Sequence, residues 1–403
     1  MGVLAINGGE PMASKARFVS WPFAKETDEK VLEDVKNSGY YGGFGNQSKV
    51  FSKRFAEMNN AKYCIPVSNG TQSLELIMRG LGIGVGDEVI IQGYTFIATL
   101  SSIIYVGATP VFCDIDLDTY SMSVESVRKK ITPRTKAIIP VYVSGRPADL
   151  DALVELAEEE GIYLIGDAAQ AVGAEWKGLG IGSYGIAASF SCQNTKNLTC
   201  GEGGIITTNS EELYTNLTSM LNMGCNGEGR YTNLGLNYNM SEWQAGILNS
   251  QLDKFPEELE KRNANGELLD NLLSNFDFVS PLKKDSRITK NGYHFYTVRI
   301  YEDKLKGVSR DKFVQALSHE GIPIVNGYTP LYHTNVITSE YTKKQIQGEI
   351  KVNLSDYPNT EYAYLHECAW IYSAEHILLS EPSEIKLIAD AIQKVYENIE
   401  ELR

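Results

Sequence analysis

The sequence predicts an α/β protein: a mostly parallel sheet with helices on both faces, followed by a smaller α+β domain. Three observations lead there. From about residue 49 to 208, short apolar runs alternate with helical patterns, as strand–helix–strand units do. Several runs end in small polar residues, Ser68-Asn-Gly-Thr71 and Gly166-Asp167 among them, where a strand would turn into the next element. Beyond residue 252 the regular alternation lapses.

Taken in order, residues 1–30 read as an extended N-terminal arm carrying the apolar-aromatic patch Phe18-Val-Ser-Trp-Pro-Phe23. A short helix over Lys30–Asn37 precedes the aromatic, glycine-rich loop Tyr40-Tyr-Gly-Gly-Phe-Gly-Asn46. A helix from about Lys49 to Met58 leads to a strand at Tyr63–Val67. Ser68-Asn-Gly-Thr-Gln-Ser73 then opens a helix through Arg79. First-turn amides are unpaired and the helix dipole favours negative charge, so strand, polar turn and helix together make an anion site at Gly70 and Thr71. Serine and asparagine at such a turn also serve simply as helix caps.

Further strands are expected at Glu88–Ile91, Thr109–Asp114, Lys136–Val143 and Ile162–Ile165, with helices at Phe96–Val106 and Leu150–Glu160. Ligands of such sheets bind beyond the carboxyl ends of the strands, where Phe96, Asp167 and Lys196 all fall. Ile205–Thr208 reads as a buried strand, and helices follow at Glu211–Met223 and Ser241–Leu252. Asp253-Lys-Phe-Pro256 is expected to break the last of these, which divides the chain into an arm (1–30), a large domain (31–252) and a small domain (253–403). The small domain should hold a strand at Tyr293–Ile300, a helix at Arg310–Glu320, and a terminal helix whose apolar face is Ile385, Ile388, Ala389 and Ile392.

Composition narrows the function. The 403 residues leave room for two or three domains, and 43% hydrophobic with 22% charged residues is ordinary globular usage. A net charge of −14 without a lysine or arginine run argues against a nucleic-acid partner. Six cysteines (64, 113, 192, 200, 225, 368) show no CxxC pair, and five histidines (294, 319, 333, 366, 376) form no ligand cluster, so reduced thiols and no metal are expected. Neither a signal peptide nor an apolar run of membrane-spanning length is present, from which a cytoplasmic protein without a membrane partner is expected.

Ser189-Phe-Ser-Cys-Gln-Asn-Thr-Lys196-Asn-Leu-Thr-Cys-Gly-Glu-Gly-Gly204 sets one lysine between an apolar run and a glycine-rich turn. A lysine amine becomes a nucleophile for carbonyls when a partly dry pocket lowers its pKa, and its stable product is a Schiff base. Pyridoxal phosphate is the usual aldehyde, and it also needs a carboxylate for its ring nitrogen, a phosphate cradle and a flat neighbour. Alone, a lysine beside glycines is most often a solvated loop residue.

The lysine segment, together with Ser68-Asn-Gly-Thr-Gln72, Gly166-Asp-Ala-Ala-Gln170 and Tyr238-Asn-Met-Ser-Glu-Trp-Gln244, resembles the DegT/DnrJ/EryC1/StrS family of pyridoxal-phosphate-dependent sugar aminotransferases over nearly the whole chain. Its exact form, with Glu375-His-Ile-Leu-Leu-Ser-Glu-Pro382, is similar to the branch that aminates keto-cyclitols such as scyllo-inosose and to aminohydroxybenzoate-synthase relatives. The resemblance implies the fold type I, aspartate-aminotransferase-like architecture with Lys196 catalytic. It implies Asp167 at the pyridinium nitrogen, Gln170 helping to hold the cofactor, Phe96 over its ring, and Gly70, Thr71 and Ser191 at its phosphate. Tyr238 and Asn239 match a segment that in relatives enters the other subunit's site, which implies a homodimer with shared active sites. Tyr40 and Tyr41 suit stacking on a sugar ring, and His333 matches a segment that approaches substrate. Two stretches depart from the family pattern, Tyr142-Val-Ser-Gly145 and Met223-Gly-Cys-Asn-Gly227, and leave nucleotide-sugar contacts there without support.

The expected reaction moves an amino group from glutamine or glutamate to a keto-cyclitol or keto-sugar, with Lys196 carrying the proton in both halves. Its rivals are amination of a nucleotide-linked keto-sugar, an aminohydroxybenzoate-synthase-like dehydration, and a non-catalytic, pyridoxal-phosphate-binding regulatory dimer. Retention of lysine where the family's deoxygenases carry histidine argues against the dehydratases of that type.

Overall fold

The computed structural model describes residues 3–13, 18, 21–22, 26–372 and 377–403. Two helices, α1 (Glu26–Ser38) and α2 (Asn46–Met58), lead into the alternating part: β1 (Tyr63–Val67), α3 (Gly70–Gly80), β2 (Glu88–Gln92), α4 (Ile97–Tyr105), β3 (Thr109–Cys113), α5 (Val124–Lys130), β4 (Thr135–Ile139), α6 (Leu150–Glu160) and β5 (Tyr163–Asp167). A short pair, β6 (Glu175–Trp176) and β7 (Leu179–Gly180), precedes β8 (Ala187–Ser191), β9 (Gly204–Thr208) and α7 (Glu211–Leu221). After α8 (Glu242–Leu273) come β10 (Val279–Pro281), β11 (Ile288–Lys290), β12 (Tyr296–Ile300), α9 (Arg310–His319), β13 (Ile324–Asn326), α10 (Glu340–Ile346), α11 (Pro358–Tyr362), β14 (Cys368–Ile371) and α12 (Pro382–Glu397).

Seven strands form the central sheet in the order β1-β9-β8-β5-β4-β2-β3. All run parallel except β9, which lies antiparallel between β1 and β8. β2, β8 and β9 are buried along their full length, which is why they are near-continuous runs and not alternations. Side chains on one face, including Ile90, Ile138, Ala188 and Phe190, join one core; those on the other, including Val89, Ile91, Ile165 and Ile206, join a second. Phe190 is fully buried, so its truncation to alanine should cost about 3–5 kcal/mol.

A second, antiparallel sheet, β10-β12-β14-β13, packs with α9 and α12 around a separate core. β11 returns to pair with β6 in a small three-stranded sheet, β11-β6-β7, which ties the C-terminal part to the segment between β5 and β8. Leu4, Ala13 and Phe18 of the arm are buried in this C-terminal core, and the Leu4 N–H donates to Glu401 Oε2 at 3.0 Å. Of the expected aromatic patch, Val19, Ser20 and Phe23 lie outside the described residues, as do Glu375 and His376 of the late motif.

One expectation is overturned. The helix beginning after Ser241 does not stop at Leu252 but runs on to Leu273, 32 residues in all, with Pro256 inside it. Proline removes one backbone bond, but the packing around it outweighs that loss. Leu252, Phe255 and Leu259 are held in the first core, and Leu269 and Leu273 in the C-terminal core. A reciprocal capping box between Ser241 and Gln244 fixes the start of α8.

Among the described residues no helix is long and apolar enough to cross a membrane, and no group of three or more His, Cys, Asp or Glu is placed to hold a metal. All six cysteines are free.

Candidate active site

The topology brings the carboxyl ends of β1, β5 and β8 and the 192–203 loop to one side of the sheet. There a cavity of about 440 Å³ is lined by Gly70, Thr71, Phe96, Asp167, Ser191 and Lys196. These six were singled out from four distant stretches of sequence, and the fold gathers them.

At the end of β1 the chain turns directly into α3. Asn69 caps that helix by accepting from the Gln72 N–H at 2.9 Å, while the amides of Gly70 and Thr71 have no intrahelical acceptor and belong to the cavity wall. Glycine is required at 70 because a Cβ there would lie 2.9 Å from the Cβ of Ser191. The Ser73 hydroxyl donates to the Gly70 carbonyl at 2.6 Å and pairs with the Ser189 hydroxyl, which locks this helix end to β8. Ser191 itself accepts from the Gln193 N–H at 3.3 Å.

Asp167 ends β5 and is only 4% exposed. Its carboxylate accepts from Thr99 Oγ1 at 2.7 Å and from the Ala169 N–H at 3.2 Å. Burial nevertheless raises its pKa, against those two bonds and the charge of Lys196. Lys196 sits in the loop between β8 and β9, its N–H bonded to the Gln193 carbonyl at 2.8 Å and its carbonyl accepting from Trp21 Nε1 at 3.2 Å. Burial pulls its amine down from 10.5 to about 8, while the Asp167 carboxylate holds it up. The flanking Cys192 is inert by the same effect, since burial pushes its thiol well up.

Other candidates fall elsewhere. Gln170 stands behind the wall: its Oε1 accepts from the Ser144 N–H and its Nε2 donates to the Tyr328 hydroxyl, both at 2.8 Å. Tyr238 donates to Glu75 at 3.3 Å, and Asn239 Nδ2 to the Leu221 carbonyl at 3.2 Å; neither lines the cavity of its own chain. Tyr40 and Tyr41 are half-exposed, the one bonded to the Gly43 carbonyl at 2.7 Å and the other against Trp243, with ring centres 5.0 Å apart. His333 is not brought to the cavity: the turn after Pro330 directs its Nε2 to Glu361, 2.8 Å away.

Of the far wall, only the stretch that begins at Tyr328 and carries His333 is expected from the sequence. The wall consists of His294, Phe295, Tyr328, Trp370 and Tyr372, all from the C-terminal part. Trp370 and Tyr372 stand two apart at the end of β14, so they share a face, and that alternation is the only local signal they give. Phe96, at the start of α4, stays 56% exposed at the rim, its ring centre 6.4 Å from that of Tyr328.

This fold, with a buried lysine, a buried carboxylate and an open helix end in one cavity, defines a transferase of the pyridoxal-phosphate class. Comparison with known proteins sharpens the class. The chain belongs to the DegT/DnrJ/EryC1/StrS aminotransferase family, whose profile matches residues 22–376, and it is a pyridoxal-phosphate-dependent aminotransferase. It is 33% identical to an L-glutamine:2-deoxy-scyllo-inosose aminotransferase from Micromonospora echinospora, covering 100% of both chains. Among solved structures it superimposes on 3-amino-5-hydroxybenzoic acid synthase with a TM-score of 0.83 at 29% identity, over 94% of this chain and 99% of that one. It matches DesI, solved in the presence of its TDP-sugar product, with a TM-score of 0.83 at 26% identity, over 98% and 96%.

Proposed function

We propose that this chain transfers the amino group of L-glutamine to the keto group of a cyclitol of the 2-deoxy-scyllo-inosose kind. The observation that carries the acceptor class is the charge of the cavity. Among the described lining residues the only lysine or arginine is Lys196, and the wall facing it is aromatic. A neutral polyhydroxylated ring fits such a wall, whereas a nucleotide diphosphate would find in the described lining of this chain no arginine and no lysine but the reacting one to offset its charge.

The residues present suit pyridoxal phosphate. When bound, that group supplies an electron sink beside its aldehyde carbon. A buried carboxylate with a raised pKa is matched to a cationic ring nitrogen, and Asp167 is that group. The open amides of Gly70 and Thr71, with the Ser191 hydroxyl beside them, suit its phosphate. Lys196 Nζ, unprotonated in an appreciable fraction of chains near neutral pH, is the base that takes the α-proton of the donor and returns a proton in the second half-reaction. Thr99 fixes Asp167, and Gln170 holds Tyr328 against the substrate space.

Tyr238 and Asn239 do not line the cavity of their own chain, which supports their serving a second copy in a homodimer. The test of the reaction is mass-spectrometric detection of the amine after incubation with L-glutamine and either 2-deoxy-scyllo-inosose or a TDP-linked keto-sugar. Amination of the nucleotide sugar alone would refute the acceptor assignment. For the shared site, mixing inactive Lys196→Ala and Asn239→Ala subunits should restore about a quarter of wild-type activity, since random pairing makes half the dimers mixed, each with one intact site. No recovery would refute it.

A further inference from the structure

A second cavity, of about 480 Å³, lies where β11 and β12 meet the middle of α8. Its charged lining consists of Arg146, Lys284, Lys290, Glu267, Asp270 and Asp285. Most of these pair off. Lys284 lies 3.3 Å from Asp270, which also accepts from the Tyr296 hydroxyl at 2.6 Å. Lys290 is paired with Glu175 at 2.8 Å, and Asp285 with Arg287 at 2.7 Å. Two groups are left over. Arg146 is 9% exposed, and its guanidinium donates no hydrogen bond to any described residue. Glu267, exposed at the mouth, has neither an ion pair nor a hydrogen bond among the described residues.

We propose that this cavity is a binding site, separate from the one at Lys196, for a free α-amino acid, whose carboxylate lies on Arg146 and whose ammonium lies on Glu267. A buried guanidinium that makes no hydrogen bond is unfavourable even with acidic side chains near it, and its fork geometry matches a carboxylate bidentately. Inorganic phosphate would set up to two negative charges against one open cation amid three carboxylates. A ligand with an ammonium gains an attraction to Glu267 at the mouth that a carboxylate lacking one does not. A zwitterion offers an anion to the deep group and a cation to the outer one, both of which line this cavity. Burial lowers the pKa of Arg146 and its acidic neighbours raise it, and an arginine remains charged through any physiological range.

The site adjoins the reacting centre. Phe295 lines both cavities. Ser144, on the wall of the second, donates its N–H to Gln170, which in turn donates to Tyr328 on the wall of the first. Ser144 also holds a left-handed backbone, φ 63°, a conformation that surrounding structure must impose on a non-glycine residue. An amino acid seated on Arg146 therefore shares its cavity with Ser144, whose N–H holds the Gln170 that bonds Tyr328 on the wall of the candidate active site.

The test is calorimetric titration of L-glutamine into the holoenzyme after borohydride treatment, which fixes the cofactor to its lysine and prevents turnover. The comparison ligand is glutaramate, L-glutamine without its amino group. The expected result is one site per chain, at least tenfold tighter for L-glutamine than for glutaramate, with Arg146→Gln weakening L-glutamine at least tenfold. Glu267→Gln, at an exposed position where folding is not at issue, should bring L-glutamine and glutaramate to equal affinity. Absence of binding, unchanged affinity in Arg146→Gln, an undiminished preference in Glu267→Gln, or displacement of L-glutamine by equimolar inorganic phosphate would each overturn the proposal.

Discussion

Lys196 should capture pyridoxal phosphate with a pH profile set by its burial. An ordinary lysine amine at 10.5 is about 0.03% unprotonated at pH 7, whereas one at about 8 is about 9% unprotonated, an advantage of about 300-fold. Mixing cofactor-free protein with pyridoxal phosphate in a stopped-flow spectrometer gives the rate of appearance of the lysine-linked chromophore. Nα-acetyllysine, run in parallel, removes the cofactor's own ionisations from the ratio. The ratio of the two rates should be flat well below pH 8, where both amines gain equally, and fall about tenfold per pH unit between 8 and 10.5. Asp167→Asn removes the largest influence holding the amine up, so the break should move below 8 in that variant. A ratio that stays constant through pH 10 would refute the reasoning, because the amine would then be an ordinary surface lysine.

Three further outcomes follow. The folded pKa of Lys196 is depressed below its unfolded value, so cofactor-free stability should rise with pH between about 8 and 10.5; Lys196→Met should abolish transamination yet stabilise that form at pH 7 by up to about 3 kcal/mol, less to the extent that cavity solvent reaches the amine, as read from urea unfolding. Asp167→Asn keeps an acceptor for Thr99 but removes the buried charge, and the rate of the donor half-reaction should fall by about 10²–10³, or 3–4 kcal/mol. Gly70→Ala forces a Cβ against Ser191, so affinity for pyridoxal phosphate should drop while that for phosphate-free pyridoxal, measured by equilibrium dialysis, changes little.

The gathering of Gly70, Asp167 and Ser191 in one cavity was legible because each sits where a strand stops and small residues mark the turn: Gly70 after β1, Asp167 at the end of β5, Ser191 at the end of β8. Such signals are local. Most of the opposite wall was not legible, since His294 and Trp370 meet Tyr328 only through the pairing of β12 and β13 with β14, which no local pattern states. Pro256 misled for a related reason: its backbone cost is local, and the two cores that overrule it are assembled from distant segments. His333 belongs to the right stretch of chain, but the direction of its ring depends on Glu361 in α11, 28 residues away.

β9 is the one strand of the large sheet that runs against the rest, and it is stitched on one side to β8 and on the other to β1. The loop bearing Lys196 joins the paired strands β8 and β9, and the outer edge of β9 is completed only when residues 63–67 arrive from far up the chain to pair with residues 204–208. Closing so long a loop is slow compared with forming helices. During refolding the protein should thus acquire most of its helical signal before it can hold a cofactor, and the reactive amine should be among the last parts of the molecule to reach its working environment.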